Sequence, residues 1–329
     1  MAPLAFRRAV APLLLAAACS GQSFDVGSDS PRGLLPVDNR NQVILSNDGS
    51  GNWQGLYAVL FSNAGGPLLA GITVNASSYA PDLNANLSAW QNLVTAARAS
   101  GLRGIPDPIA SVGSPLTRPS DGNIDTTVPN RSEGAQAIVQ LSSRLSLPYR
   151  PLVVAVGGRL TDVADAYLID HTVTDRVVVV AALGSVSTTG GVMGSPNGEL
   201  DPWADAIVAQ KFRYVQISVF YDPTTDIPSS QLGNLPMNPL GDLIAAQQPS
   251  ITDMPIRADQ VSIIAVGLPA FVVAVEKVAQ DPSVGISSTS GASLVTDANG
   301  PLWLVTSIDS ALATTRLWQM LQDPKTYGQ

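Results

Sequence analysis

Asp48 stands in the stretch VILSNDGSGNWQG, where an apolar run from Val43 to Leu45 gives way to a polar, glycine-dotted loop. A carboxylate in that position can serve as a general base or hold a hard cation. Oxygen-bearing side chains follow other apolar runs as well. Ser46, Asn47 and Asn52 flank Asp48, and Asn75, Ser77 and Ser78 follow LLAGITV. Gly157, Gly158 and Thr161 follow PLVVAV, and Asn197, Glu199 and Asp201 follow VVVVAAL and its glycine-rich loop. Tyr221 and Asp222 follow YVQISVF. Arg159 apart, this set carries little positive charge, and it suits hydroxyl-bearing ligands better than phosphates.

The elements needed to position these residues can be read from periodicity. Apolar runs of strand length (Val43–Leu45, Leu68–Val74, Pro151–Val156, Val177–Leu183, Tyr214–Phe220, Val261–Val266, Leu302–Ile308) predict strands. Segments of helical period intervene near 55–62, 84–100, 135–145, 161–169 and 203–210, and residues 105–130 read as a long loop. In 84–100, Leu87, Trp90, Leu93 and Val94 share one face. Unbroken Val/Ile runs indicate strands buried on both faces, and their alternation with helices indicates right-handed βαβ units. The expected fold class is α/β, an open, mostly parallel sheet flanked by helices with a Rossmann-like core, over residues 37–324. In such sheets ligands sit beyond the carboxyl ends of the strands, where the polar residues above collect.

Composition narrows the function. The chain has 329 residues, 13% charged, with net charge −8. Such an acidic chain is a poor partner for nucleic-acid phosphates. Its single Cys excludes an internal disulfide, and its single His, His171, falls between a predicted helix and the next strand, away from the ligand edge. Residues 1–19 combine Arg7 and Arg8, a short apolar run, and Ala16-Ala17-Ala18-Cys19. They read as a secretory signal too short to span a bilayer. The ending LAAAC resembles a bacterial lipobox, which implies lipidation of Cys19. Residues 20–36 then form a flexible tether. The expected location is exported, as a periplasmic or cell-envelope lipoprotein touching the membrane only through its lipid.

Gly49-x-Gly51-x-x-x-Gly55 invites a dinucleotide reading. That fingerprint requires an acidic residue about twenty positions on. Val74-Asn75 stand there instead, and Asp48 inside the loop would repel a pyrophosphate.

The same loops are similar to those of the inosine/uridine-preferring nucleoside hydrolases. VILSNDGSGNWQG resembles that family's DxDPGxDD, with Ser46 for the first Asp, Asp48 on the second, and Asn52 and Trp53 for the closing pair. GITVNASSY resembles its second strand and turn, with Ser78 in place of a ribose-binding Asn. Leu160-Thr161 in VAVGGRLTDVADAYLIDHTVTDRVVVVAALG matches GPLTNLA, and NGELDPWADAIVAQKF resembles a segment near EFNFWADPEAA. MNPLGD resembles HDPLA.

The resemblance implies an N-glycosidic hydrolase of ribonucleosides with Ca²⁺ at its site. It gives Asp48 the role of general base and metal ligand, Thr161 a carbonyl toward the metal, and Glu199 and Asp201 the ribose. Met237 replaces the leaving-group acid, a His, and Asn238 replaces a Ca²⁺ ligand. With Asp48 the one metal carboxylate left, beside Thr161 and Asn238, Ca²⁺ binding is expected to be weak or absent, and no other cofactor is implied. Met237 cannot carry a proton, and loss of a general acid costs roughly two to four orders of magnitude in rate. The expectation is a weak or inactive hydrolase that binds a nucleoside, sugar or polyol through Asp48, Asn52, Trp53, Ser78, Glu199, Asp201, Met237 and Asn238. The alternative is an active, metal-independent N-glycoside hydrolase with Asp48 as general base. Trp53 either stacks on a ligand ring or plugs the vacated metal cavity. Asp201, directly before Pro202, is equally suited to cap a helix.

Overall fold

The computed structural model describes residues 34–49, 52–111, 113–183, 196–219, 226–247, 258–281 and 293–323. The signal, the tether and Cys19 lie outside the described residues, as do the glycine-rich loop (Gly190, Gly191, Gly194), Tyr221 and Asp222.

Nine strands form one sheet: β1 (Gln42–Asn47), β2 (Leu68–Val74), β3 (Pro108–Ala110), β4 (Leu152–Val156), β5 (Val177–Ala182), β6 (Arg213–Ile217), β7 (Val272–Gln280), β8 (Leu294–Thr296) and β9 (Leu302–Ile308). Their order is β3-β2-β1-β4-β5-β6-β9-β7-β8. Pairing is parallel from β3 through β9, and β7 runs antiparallel to both β9 and β8. The expected mostly parallel α/β sheet is therefore present. The strand order reverses between β1 and β4, which opens a crevice at their carboxyl ends.

The helices are α1 (Asn52–Phe61), α2 (Leu83–Ala99), α3 (Glu133–Leu145), α4 (Thr161–Ile169), α5 (Pro196–Glu199), α6 (Pro202–Lys211), α7 (Pro239–Ala246), α8 (Val261–Gly267) and α9 (Ser310–Gln322). They cover both faces of the sheet. Val43, Leu45, Val153, Ala155, Val178 and Val180 point into the apolar cluster shared with α1, α2, α8 and α9. Ile44, Val154, Val156, Val177 and Val179 point into the other, with α4 and α6. Alternate side chains thus serve opposite layers, so every position of β4 and β5 is buried. Each such Val or Leu contributes roughly 1.5–3 kcal/mol.

Two expectations are corrected. Residues 261–266 form a helix, α8, rather than a strand. It is buried at every position, and an unbroken apolar run looks the same in a buried strand and a buried helix. The long loop holds β3, a three-residue edge strand beside β2. Among the described residues no helix is long and apolar enough to cross a membrane.

Candidate functional site

The crevice is assembled from the turns that follow β1, β2, β3 and β4. Asn47, the last residue of β1, accepts from Gly49 N at 2.7 Å, which bends the chain out of the strand at Asp48. Two residues of α2 hold that bend. The Asn86 amide reaches Asp48 O (3.3 Å), Asn75 O (3.2 Å) and Ala80 O (3.0 Å), and Trp90 Nε1 donates to Gly49 O at 2.9 Å. From β4, Gly158 lies so close that a Cβ there would sit 2.6 Å from Asp48 Oδ1, so the approach requires glycine.

Asp48 is 6% exposed. Burial raises its pKa, and the Ser77 hydroxyl, its own backbone N–H and the charge of Arg159 work in the opposite direction. Beside it lies a cleft of about 490 Å³. Ser77, Ser78, Ser111, Ser114, Arg159 and Glu199 are its polar walls, and Asp48 is not among the lining residues. The retained carboxylate is hydrogen-bonded to Ser77 and nearly closed off from solvent.

A second buried carboxylate, Asp162, locks the floor. It accepts from Ser111 Oγ (2.7 Å), Ser132 Oγ (2.9 Å) and Asn75 Nδ2 (3.2 Å), tying the turns after β2 and β3 to the starts of α3 and α4. Burial raises its pKa too, against these hydrogen bonds and the Arg159 charge. Asp201 caps α6 through Ala204 N (3.0 Å), and accepts from Leu116 N (2.8 Å) and Thr161 Oγ1 (2.6 Å). Again burial raises the pKa, and these three bonds with Arg159 oppose it.

The predicted site residues are only partly brought together. Ser78 and Glu199 line the cleft, and Asp48 lies just behind it. Asp201 is 1% exposed and occupied as a cap and tether, which corrects its assignment to the ligand. The Thr161 hydroxyl is likewise committed, to Asp201. Trp53 packs half-buried against the apolar cluster and is not part of the cleft wall. The Asn52 side chain lies outside the described residues.

Met237 and Asn238 are the clearest correction. Asn238 caps α7 through Gly241 N at 2.9 Å, and Leu240 N donates to Ser100 Oγ at 2.8 Å. Ser100 closes the far end of α2, about 20 Å along the helix from Asn86. Both residues therefore lie at the amino edge of the sheet, and Met237 is fully exposed. Asn-Pro is a general helix-opening pair, which is why it imitated a site motif there. His171 also lies away from the ligand edge, in a 3-10 turn before β5, stacked on Tyr167 at 4.4 Å.

Asn197, named from the sequence, and Asp259 and Gln54, which were not, complete the carboxyl edge. Asn197 donates to Ala182 O at 2.6 Å and to Asp259 Oδ1 at 3.0 Å, so Asp259, just before α8, stands at the end of β5. Gln54 accepts from Asn47 Nδ2 and donates to Ser262 Oγ at 3.0 Å, joining α1 to α8. Among the described residues no three His, Cys, Asp or Glu side chains cluster in a way that could hold a metal ion.

No family model matches the sequence, and no curated protein matches it. Solved structures do match its backbone. An inosine-guanosine nucleoside hydrolase superposes with a TM-score of 0.61 at 15% identity, over 86% of this chain and 99% of that one. The fold is that of the nucleoside hydrolases. A plant nucleoside hydrolase (TM-score 0.56, 14% identity, 87% and 99% covered) and a purine-preferring ribonucleoside hydrolase from Gardnerella vaginalis (0.55, 13%, 88% and 98%) agree with it. The likeness spans nearly the whole of each neighbour, so the nucleoside hydrolase fold is present at full length while its side chains differ widely.

Proposed function

We propose that this is an exported, nucleoside hydrolase-fold protein that binds a nucleoside, sugar or polyol in the cleft and hydrolyses it weakly or not at all. One observation carries the reading: the Asp48 carboxylate is buried, is hydrogen-bonded to Ser77 and is not among the residues that line the cleft. A base must reach the water it activates, at about 3 Å or through one further water. Met237, expected in place of the leaving-group acid, lies at the opposite edge of the sheet. Glu199 at the exposed rim and the serines of the wall can still hydrogen-bond ligand hydroxyls.

The residues do not fit Ca²⁺. Such an ion takes roughly six to eight oxygens, several of them carboxylate. Asn238 is remote, the Arg159 charge already acts on Asp48, and among the described residues no three His, Cys, Asp or Glu side chains come together around it. The neighbours' printed substrates, inosine, guanosine and purine ribonucleosides, are the first ligands to test.

The raised pKa of Asp48 favours one alternative, a metal-independent N-glycosidase using it as general base. Nucleoside turnover by wild type and Asp48→Ala, with and without Ca²⁺, separates the two. The binding reading expects at most trace turnover in wild type. Turnover that disappears in Asp48→Ala establishes the enzyme.

Export and lipidation belong to the same proposal. The lipobox-like end of the signal supports acylation at Cys19, and metabolic labelling with a palmitate analogue is expected to mark wild type but not Cys19→Ser. Equal labelling of both would refute the anchor.

A further inference from the structure

Arg159 is a buried cation whose hydrogen-bonding capacity is largely unspent. It is 6% exposed and lines the cleft. One of its terminal nitrogens donates to Gly113 O, while its buried Nε has no acceptor among the described residues. None of the ion pairs among the described residues includes it. The carboxylates that sense its charge are engaged elsewhere: Asp162 with Ser111, Ser132 and Asn75, Asp201 with Thr161 and two backbone N–H groups, Asp48 with Ser77. Glu199 stands apart on the exposed rim.

A guanidinium presents five N–H donors in a planar fork that matches the oxygens of a phosphate or carboxylate. Burying it without an anion in contact is costly. The cleft around it is walled by serines, which donate to the same oxygens, and Arg159 is its one cationic wall residue.

We infer that the cleft takes a hydroxylated ligand bearing an oxyanion, a phosphomonoester or a carboxylate, with Arg159 forked onto that group and Glu199 and Ser78 facing the ligand's hydroxyls. The inference rests on reading the cleft as a polyol site, and it reverses the sequence-based preference against phosphate. That preference treated Arg159 as a rim residue. In the fold Arg159 is a nearly buried residue of the cleft wall.

Calorimetric titration of the full chain tests it, with ribose, ribose 5-phosphate, glucose, glucuronate and inorganic phosphate as probes. A charge-assisted, bidentate contact predicts that ribose 5-phosphate or glucuronate binds about 10- to 100-fold more tightly than its neutral parent. The two pairs distinguish a phosphate from a carboxylate ligand. Inorganic phosphate is expected to bind more weakly than ribose 5-phosphate. Arg159→Gln should remove the preference and keep the neutral sugar's affinity, and Arg159→Lys should retain part of it. Equal affinity within both pairs overturns the inference but leaves the polyol reading standing, as does a preference that survives in Arg159→Gln. Binding of no probe overturns both. If Arg159→Gln does not fold, as judged by its thermal melt, the wild-type ratios decide.

Discussion

Trp90→Ala is expected to cost about 3–5 kcal/mol, a large share of the stability of a typical domain. Trp90 is fully buried, and it heads the largest side chains with almost no exposure. Its ring fills the contact between α2 and α1, where a Cβ on Gly55 would lie 2.9 Å from the indole. The indole N–H also holds Gly49 O, one residue past Asp48. The substitution therefore opens a cavity and releases the turn that carries the retained carboxylate. Trp90→Phe separates the two effects, since it keeps most of the packing and loses the hydrogen bond. Urea denaturation of the three proteins checks this. Trp90→Ala within 1 kcal/mol of wild type would show that α1 and α2 collapse onto the space, and the packing argument would fail.

Asp162→Ala carries the second large effect, about 3 kcal/mol or more. It strands the Ser111 hydroxyl and the Asn75 amide in the interior, while Ser132 keeps its hydrogen bond to Asp165 at 3.0 Å; each stranded donor costs roughly 1–3 kcal/mol. Asp162→Asn is expected to be milder. Asn75 Oδ1 has no partner among the described residues, so a turned Asn75 amide can accept from the new Nδ2, and serine hydroxyls can rotate.

The same pair has a pH signature. Burial raises the pKa of Asp162 above 3.8 in the folded protein. The native state then holds this proton more tightly than the unfolded chain. Its contribution to stability is fully present below 3.8 and is lost as pH rises through the raised native value. Asp38 and Asp170, whose pKa values are lowered, act in the opposite sense, so the difference between variants is the informative quantity. Relative to wild type, Asp162→Asn should gain stability as pH rises from 3.8. A difference that is constant across that range would contradict the assignment.

The frame of this fold was legible where local and tertiary signals agreed. β2, α4 and β9 fall on the expected residues, because uninterrupted Val, Leu and Ile mark a strand covered on both faces and loop residues bound each run. Legibility failed at α8 for the same reason: apolarity without period does not distinguish a buried helix from a buried strand. That error had a consequence at the site. Read as a strand, Val261–Val266 has no helix start, so nothing in the sequence marks Asp259, just before it, as a residue of the carboxyl edge. β3 has three residues, too few for any period to appear.

At the site, the turns were legible and the side-chain directions were not. Ser78 and Glu199 line the cleft, whereas Asp201 turns inward to cap α6 and hold Thr161. An Asp before a Pro can do either, and only the neighbouring Leu116 N and Thr161 hydroxyl, distant in sequence, decide it. Trp53 illustrates the same limit, since its place in the apolar cluster follows from how α1 rolls on its neighbours. Asp48 is closely approached by Ser77 and Gly158, small residues that carried no expectation of that role.

The central claim is that the cleft binds a hydroxylated ligand without a divalent cation and with little or no hydrolysis. Equilibrium dialysis of the purified protein against inosine and guanosine in excess chelator, with the nucleoside recovered and analysed afterwards, tests it most directly. The account predicts saturable retention, unchanged when Ca²⁺ replaces the chelator, with the nucleoside recovered intact. Retention that appears only with Ca²⁺, or free base and ribose as the bulk of the recovered material, would contradict it.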